Sequence, residues 1–373
     1  RGDAALLELT HQFDRVRLRT LRAHGAGRCS PELQHALRVA HRNVAAFARR
    51  SLRRGWQMRN AQGGIVGEKF DPIERVGIYV PGGTAPLVST VLMTVTLAQV
   101  AGCQEIVVCS PPPIHPALLY AARLAGATEI YQVGGAQAIA AMALGTKMIR
   151  RVAKIFGPGN AYVTAAKRLL FGEVGIDMLS GPSELLVLAD DSANPRQIAA
   201  DLLAQAEHGS GHERVWLVTT SRRVLNETAA EWDRQLPGLS RRGYIAKIEP
   251  VAVLAQDLRQ AVAIANRFAP EHCEVLTVNP RQVLRQLTAA GAVFLGSWTP
   301  TVVGDYVAGP SHALPTGGAG AWCAGLTVDQ FQRRTSFLEF SPVALQKSRP
   351  VLQALGTVEG LDAHVQSADI RFP

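Results

Sequence analysis

At 373 residues, with 47% apolar side chains and a mean hydropathy of +0.07, the chain can bury a sizeable core and reads as a soluble, enzyme-sized protein of two domains. Its formal charge of +9 comes from Arg and Lys scattered singly or in pairs, with no basic stripe interleaved with aromatics, which argues against a nucleic-acid partner. Five cysteines without a Cys-x-x-Cys pair (Cys29, Cys103, Cys109, Cys273 and Cys323) fit reduced thiols in a cytosol-like compartment rather than a disulfide framework.

The opening stretch RGDAALLELTHQF has neither a leader pattern nor an initiating methionine and reads as starting inside a helix, so residues upstream are expected to have been lost. The most apolar segment, 86–103, carries Ser89, Thr90, Thr94, Thr96 and Gln99, which predicts a buried helix and no membrane span. From residue 75 onward short apolar runs alternate with longer helical patterns. RVGIYV (75–80), EIVVC (105–109) and EIYQV (129–133) predict buried strands, each followed by an Ala/Leu-rich helix. ELLVLA (184–189), RVWLVT (214–219), CEVLTV (273–278) and GAVFL (291–295) repeat that grammar, which predicts two parallel-sheet α/β units without a literal sequence repeat.

Glycine and proline mark the handovers. VPGGTAP (80–86), VGGAQA (133–138), FGPGNAY (156–162) and LSGPSE (179–184) are expected at strand carboxyl ends and helix starts, where open α/β sheets collect ligands. None is a GxGxxG fingerprint, so the loops alone leave a nucleotide site and a plain turn both open.

Among polar residues, Gln205 and His208 stand three apart in the helix-forming run DLLAQAEHGS, which puts an amide oxygen and an imidazole on one helical face. Zinc takes about four ligands, so the pair needs partners from elsewhere. In NRFAPEH a proline stops the preceding helix and Glu271 stands beside His272, a carboxylate and an imidazole suited to proton transfer, although an isolated Glu–His pair is often only a surface feature. Taken singly, Asp305 reads as a turn residue, His312 as a loop hydrogen-bonder, and Glu359 and His364 as a solvated helix face.

Together these motifs resemble the histidinol dehydrogenase family over nearly the whole chain. The carriers, in order, are ERVGIYVPGGTAPLVSTVLM, VGGAQAIAA, FGPGNAYVTAAKR, IDMLSGPSELLVLAD, ADLLAQAEHG, NRFAPEH, VFLGSWTP, VGDYVAGPSHALPT and EGLDAH. The segment AGAWCAGLTVDQFQRRTSF departs from the pattern at Trp322 and Cys323.

The resemblance implies oxidation of L-histidinol to L-histidine through the aldehyde with two NAD+, in histidine biosynthesis. It implies one zinc ion per subunit, held by Gln205, His208, Asp305 and His364, with the substrate's imidazole and amine completing the shell, so that the metal anchors the substrate. His272 is implied as the base that takes the hydroxyl proton and Glu271 as the residue that activates water on the aldehyde; Ser183, His312 and Glu359 match substrate-contacting positions, and Tyr79, Gln137 and Asn160 match NAD contacts. No cysteine matches a catalytic position, and Cys273, in a run that reads as strand, is taken as a packed thiol.

The implied architecture is α/β, with two incomplete Rossmann-like domains. Residues 1–78 and 183–325 form the substrate and zinc side, 79–182 the NAD side, and 326–373 a helical tail that crosses to the partner of a cytoplasmic homodimer. Two alternatives accompany this reading: a zinc-dependent NAD dehydrogenase of the same superfamily acting on another small polar alcohol such as a sulfonated diol, and a non-catalytic metal- or nucleotide-binding relative.

Overall fold

The structure, a computed structural model, describes residues 2–82 and 86–372; residues 83–85 of the predicted VPGGTAP loop lie outside the described residues. Two parallel five-stranded sheets dominate one compact unit, residues 1–51 and 73–331. In the first sheet the strands lie in the order Glu129–Gln132, Glu105–Ser110, Arg75–Tyr79, Lys154–Phe156, Gly175–Ile176. In the second the order is Val251–Leu254, Arg214–Thr219, Glu184–Ala189, His272–Leu276, Ala292–Leu295. Counted along the chain, each sheet runs third, second, first, fourth, fifth. The two halves therefore share a topology that has no counterpart in a literal sequence repeat.

The central strands explain why this pattern was readable. Arg75–Tyr79 and Glu184–Ala189 are buried at every position, as expected where helices cover both faces of a parallel sheet and neither face meets water. Helix Val88–Ala101 packs so deeply that Thr90, Thr94 and Thr96 are buried with its aliphatic residues; Thr94 satisfies its hydroxyl by donating to the Thr90 carbonyl at 2.6 Å. Among the described residues no helix is long and apolar enough to cross a membrane.

Several short strands escaped the sequence reading. Lys154–Phe156, Gly175–Ile176 and Val251–Leu254 are two to four residues long, too short to show a period. A three-stranded antiparallel sheet of Trp56–Arg59, Ile65–Pro72 and Gln332–Glu339 is also new. Its strands are half-exposed and charged, and the pairing of Ile65–Pro72 with Gln332–Glu339 joins segments far apart in sequence. With helices Pro342–Glu359 and Asp362–Asp369, this sheet forms a second unit, residues 52–72 and 332–373.

Two local expectations are corrected. LSGPSE does not open a helix: it joins strand Gly175–Ile176 to the amino end of Glu184–Ala189. The helix carrying Gln205 ends at Ala206, and Gly209 at φ +90° turns the chain away, so His208 lies beyond the helix rather than on its face.

Candidate active site

In a strand–helix–strand crossover the helix runs back against its strand, so its carboxyl end returns to the amino edge of the sheet. Helix Pro195–Ala206 follows strand Glu184–Ala189 and delivers Gln205 in this way; the short helix Thr301–Tyr306 follows strand Ala292–Leu295 and delivers Asp305. His272 opens strand His272–Leu276 at the same edge, reached after helix Leu258–Phe268 is terminated by Ala269 in the left-handed region and by Pro270. Segments distant in sequence thereby converge on one edge.

Glu271 and His272 are buried, 6% and 3% exposed, and the backbone of one residue holds both. The Glu184 amide donates to Glu271 Oε2 at 2.8 Å, and the Glu184 carbonyl lies 3.0 Å from His272 Nδ1. A carbonyl only accepts, so Nδ1 carries the hydrogen and Nε2 keeps its lone pair. Burial pushes His272 down to about 4, so its imidazole is neutral and Nε2 is unprotonated. Nε2 faces Asp305 Oδ1 at 3.9 Å, and Asp305 Oδ1 in turn lies 3.7 Å from His312 Nδ1. Burial also lowers His312 to about 4; its Nε2 is 3.3 Å from the hydroxyl of Thr90. Glu271 is raised well above the usual carboxylate range, first by burial and then by the charges of Glu184 and Asp305.

Gln205 is buried and contacts His208 directly, Nε2 to Nδ1 at 3.2 Å. Burial of the ring also lowers His208, although part of the residue stays open to solvent. Ser183 is half-buried immediately before Glu184 and its carbonyl accepts from the Arg214 amide at 3.0 Å. Cys273 lies fully buried in the strand, its thiol pushed up to about 12 by burial, as expected of a packed rather than a reactive cysteine. Glu359 ends one helix of the second unit and His364 lies on the next; both are exposed.

The predicted cofactor residues cluster elsewhere, at the carboxyl edge of the first sheet. Tyr79 ends the central strand and its hydroxyl accepts from the Gly135 amide at 3.0 Å. Gln137 lies in the first turn of helix Gly135–Leu144, and Asn160 caps helix Ala161–Leu170 by accepting from the Tyr162 and Val163 amides at 3.1 Å each. Helix Gly135–Leu144 opens at Gly134 with no side-chain cap; its first amide is held by the Tyr79 hydroxyl and that of Ala138 by the Gly134 carbonyl.

Among the described residues no three His, Cys, Asp or Glu side chains stand as a closed metal cage. The donors nevertheless suit zinc. Asp305 is raised to about 6 by burial alone, and the charge partners beside it are two imidazoles held neutral. A buried anion without a cation is the condition that a bound divalent ion reverses, and an amide oxygen, an imidazole and a carboxylate are ligands that zinc accepts.

Four residues were not legible in the sequence as parts of this region. Glu184 acts through its peptide, which no side-chain pattern reports. Its own carboxylate is 2% exposed and accepts from the Gly317 amide at 3.1 Å. Thr90 was visible only as a polar residue in an apolar helix. Asp201 and Glu274 form a buried carboxyl pair between the Gln205 helix and the His272 strand, and Glu274 also accepts from the Thr301 amide at 2.8 Å. Asp201 is raised to about 6 by burial.

Fold and site define the class: an α/β protein of two parallel five-stranded sheets with a buried glutamate–histidine pair at the edge of one of them. The family model described as histidinol dehydrogenase matches residues 1–372. Histidinol dehydrogenases of Synechococcus sp. and Geobacillus kaustophilus are 44% and 45% identical to the chain, covering all of it and 89% and 91% of their own lengths. The crystal structure of histidinol dehydrogenase from Elizabethkingia anophelis superposes with a TM-score of 0.96 at 38% identity, over 99% of this chain and 88% of that one. The chain belongs to the histidinol dehydrogenase family and is an oxidoreductase.

Proposed function

We infer that this protein oxidises L-histidinol to L-histidine through L-histidinaldehyde with two NAD+, the closing steps of histidine biosynthesis. The observation that carries the mechanism is the double grip of the Glu184 backbone N–H and C=O, which presents a neutral His272 with an unprotonated Nε2 beside a Glu271 of raised basicity. His272 Nε2 takes the hydroxyl proton as hydride leaves the carbinol carbon. Glu271 removes a proton from water as that water adds to the aldehyde carbon, and a second hydride loss yields the carboxylate. Burial raises the proton affinity of this carboxylate, which suits the base role better than an ordinary carboxylate, too weak to take a proton from water.

Gln205, His208 and Asp305, with His364 from a second copy of the chain, would hold the zinc ion; Ser183, His312 and Glu359 would contact the substrate. When bound, zinc anchors the substrate's imidazole and amine, and NAD+ accepts hydride. Residues 79–182 would form the NAD side, with Tyr79, Gln137 and Asn160 as contacts, and 1–78 with 183–325 the substrate side. Each five-stranded order matches a Rossmann sheet lacking its sixth strand, which supports the incomplete Rossmann-like description. The tail, 326–373, would cross to the partner of a homodimer. In support, helix Pro342–Glu359 leaves Val343, Val351, Leu355 and Val358 exposed, an apolar face suited to a protein partner. Five free thiols suit the cytoplasm.

The test is NADH formation from histidinol set beside other small polar alcohols, including sulfonated diols. Turnover of histidinol with histidine as product is expected; turnover of another alcohol alone would refute the substrate and leave the scaffold standing.

A further inference from the structure

Lys167 and Asp177 form an ion pair with side chains only 2% and 1% exposed, and no step described above uses either. Desolvating two such charges costs several kcal/mol each, and their attraction offsets this only where other hydrogen bonds complete both groups. Here two of those bonds converge on one residue. Lys167, on helix Ala161–Leu170, donates from Nζ to the Gly157 carbonyl at 2.9 Å. Asp177, just past strand Gly175–Ile176, accepts from the Gly157 amide through Oδ2 at 2.7 Å and from the Met178 amide through Oδ1 at 2.6 Å. Both backbone polar groups of Gly157 are thus held by charges of opposite sign.

Gly157 is where strand Lys154–Phe156 turns toward Asn160. Its φ is +107°, and a Cβ there would stand 2.1 Å from the Tyr79 carbonyl oxygen, so only glycine lets the turn lie against the central strand. Tyr79 in turn holds the Gly135 amide through its hydroxyl, at the start of the helix that carries Gln137. The ion pair, Gly157, Tyr79 and Gly135 make one connected clamp beneath Tyr79, Gln137 and Asn160.

We propose that Lys167 and Asp177 are positioning residues for the dinucleotide: their pair fixes the Gly157 peptide and so sets where Asn160 and Tyr79 stand at the carboxyl edge of the first sheet. This rests on the reading of that edge as the NAD+ site. The experiment compares the wild type with Lys167→Met/Asp177→Asn, which removes both charges and keeps an acceptor for the Gly157 amide. Asp177→Asn alone serves if the double variant fails to fold. NAD+ is titrated calorimetrically into the apo-enzyme, and KM is measured for each substrate. NAD+ affinity is expected to weaken and its KM to rise on the order of tenfold, the scale of a sub-ångström misplacement, while kcat and the histidinol KM stay within about twofold. Unchanged NAD+ affinity, or a loss of all parameters in step with a lowered Tm, overturns the proposal. Gln137→Ala separates the two possible failures: if it too binds NAD+ normally, the cofactor edge itself has been misassigned.

Discussion

Replacing His272 by Asn removes the proposed base while sparing its anchor. The Asn side chain ends near the position of Nδ1, so its amide can keep donating to the Glu184 carbonyl, now contacted at 3.0 Å, and Nε2 is lost. A positioned base contributes roughly 10²–10⁴ in rate, or about 3–5 kcal/mol of barrier. Loss of part of a buried ring costs about 1–2 kcal/mol of stability, which leaves the fold intact. Steady-state NADH production from histidinol should therefore fall by roughly 10²–10⁴. Circular dichroism and bound zinc should stay at wild-type levels, because His272 is outside the proposed ligand set. Residual activity within about tenfold of wild type would refute the assignment of the base. Loss of zinc together with activity would show that His272 supports the metal instead.

Other outcomes follow from the same geometry. Glu271→Gln keeps an acceptor for the Glu184 amide and removes the base, so oxidation of added histidinaldehyde should drop by roughly 10²–10⁴ and the alcohol step far less; equal loss in both would contradict the division of labour. Glu129 is drawn down to about 2, chiefly by its hydrogen bonds from Arg75 at 2.6 and 3.2 Å. A folded pKa below the unfolded one gives stability that is present above pH 4.5 and lost as pH falls toward 2. The nominal ~3 kcal/mol is reduced by solvent screening to about 1–2 kcal/mol, so melting curves of wild type and Glu129→Gln should converge between pH 4.5 and 2. Chelation should abolish histidinol turnover, and added zinc should restore it; full activity in metal-free protein would remove zinc from the account. Dilution into monomers should weaken zinc binding and turnover together, and an active zinc-loaded monomer in ultracentrifugation would exclude a shared site.

The strands that sequence made legible are those buried on both faces, such as Glu184–Ala189, where water leaves no alternation to mask the apolar run. Those it missed are short or edge-exposed, such as Val251–Leu254 and Trp56–Arg59, whose pairing is decided by distant partners rather than local pattern. The site divides along the same line. Glu271 and His272 announced themselves by adjacency after a helix-stopping proline. Asp305 and His312 could not be separated from ordinary loop residues until the fold placed the short helix Thr301–Tyr306 and the loop after it so that the two side chains stand within 4 Å of one another. The Glu184 peptide lay wholly outside the reach of a side-chain reading, because the groups that grip Glu271 and His272 belong to every residue of the chain. The sequence also placed Gln205 and His208 on one helix, whereas the helix stops between them and the contact survives through the turn.

The most direct test is stoichiometric. Histidinol supplied in limiting amount with excess NAD+ should yield two NADH and one histidine per molecule consumed, because His272 and Glu271 serve successive oxidations at one site. A yield of one NADH with histidinaldehyde released, or none with histidinol at all, would contradict the account.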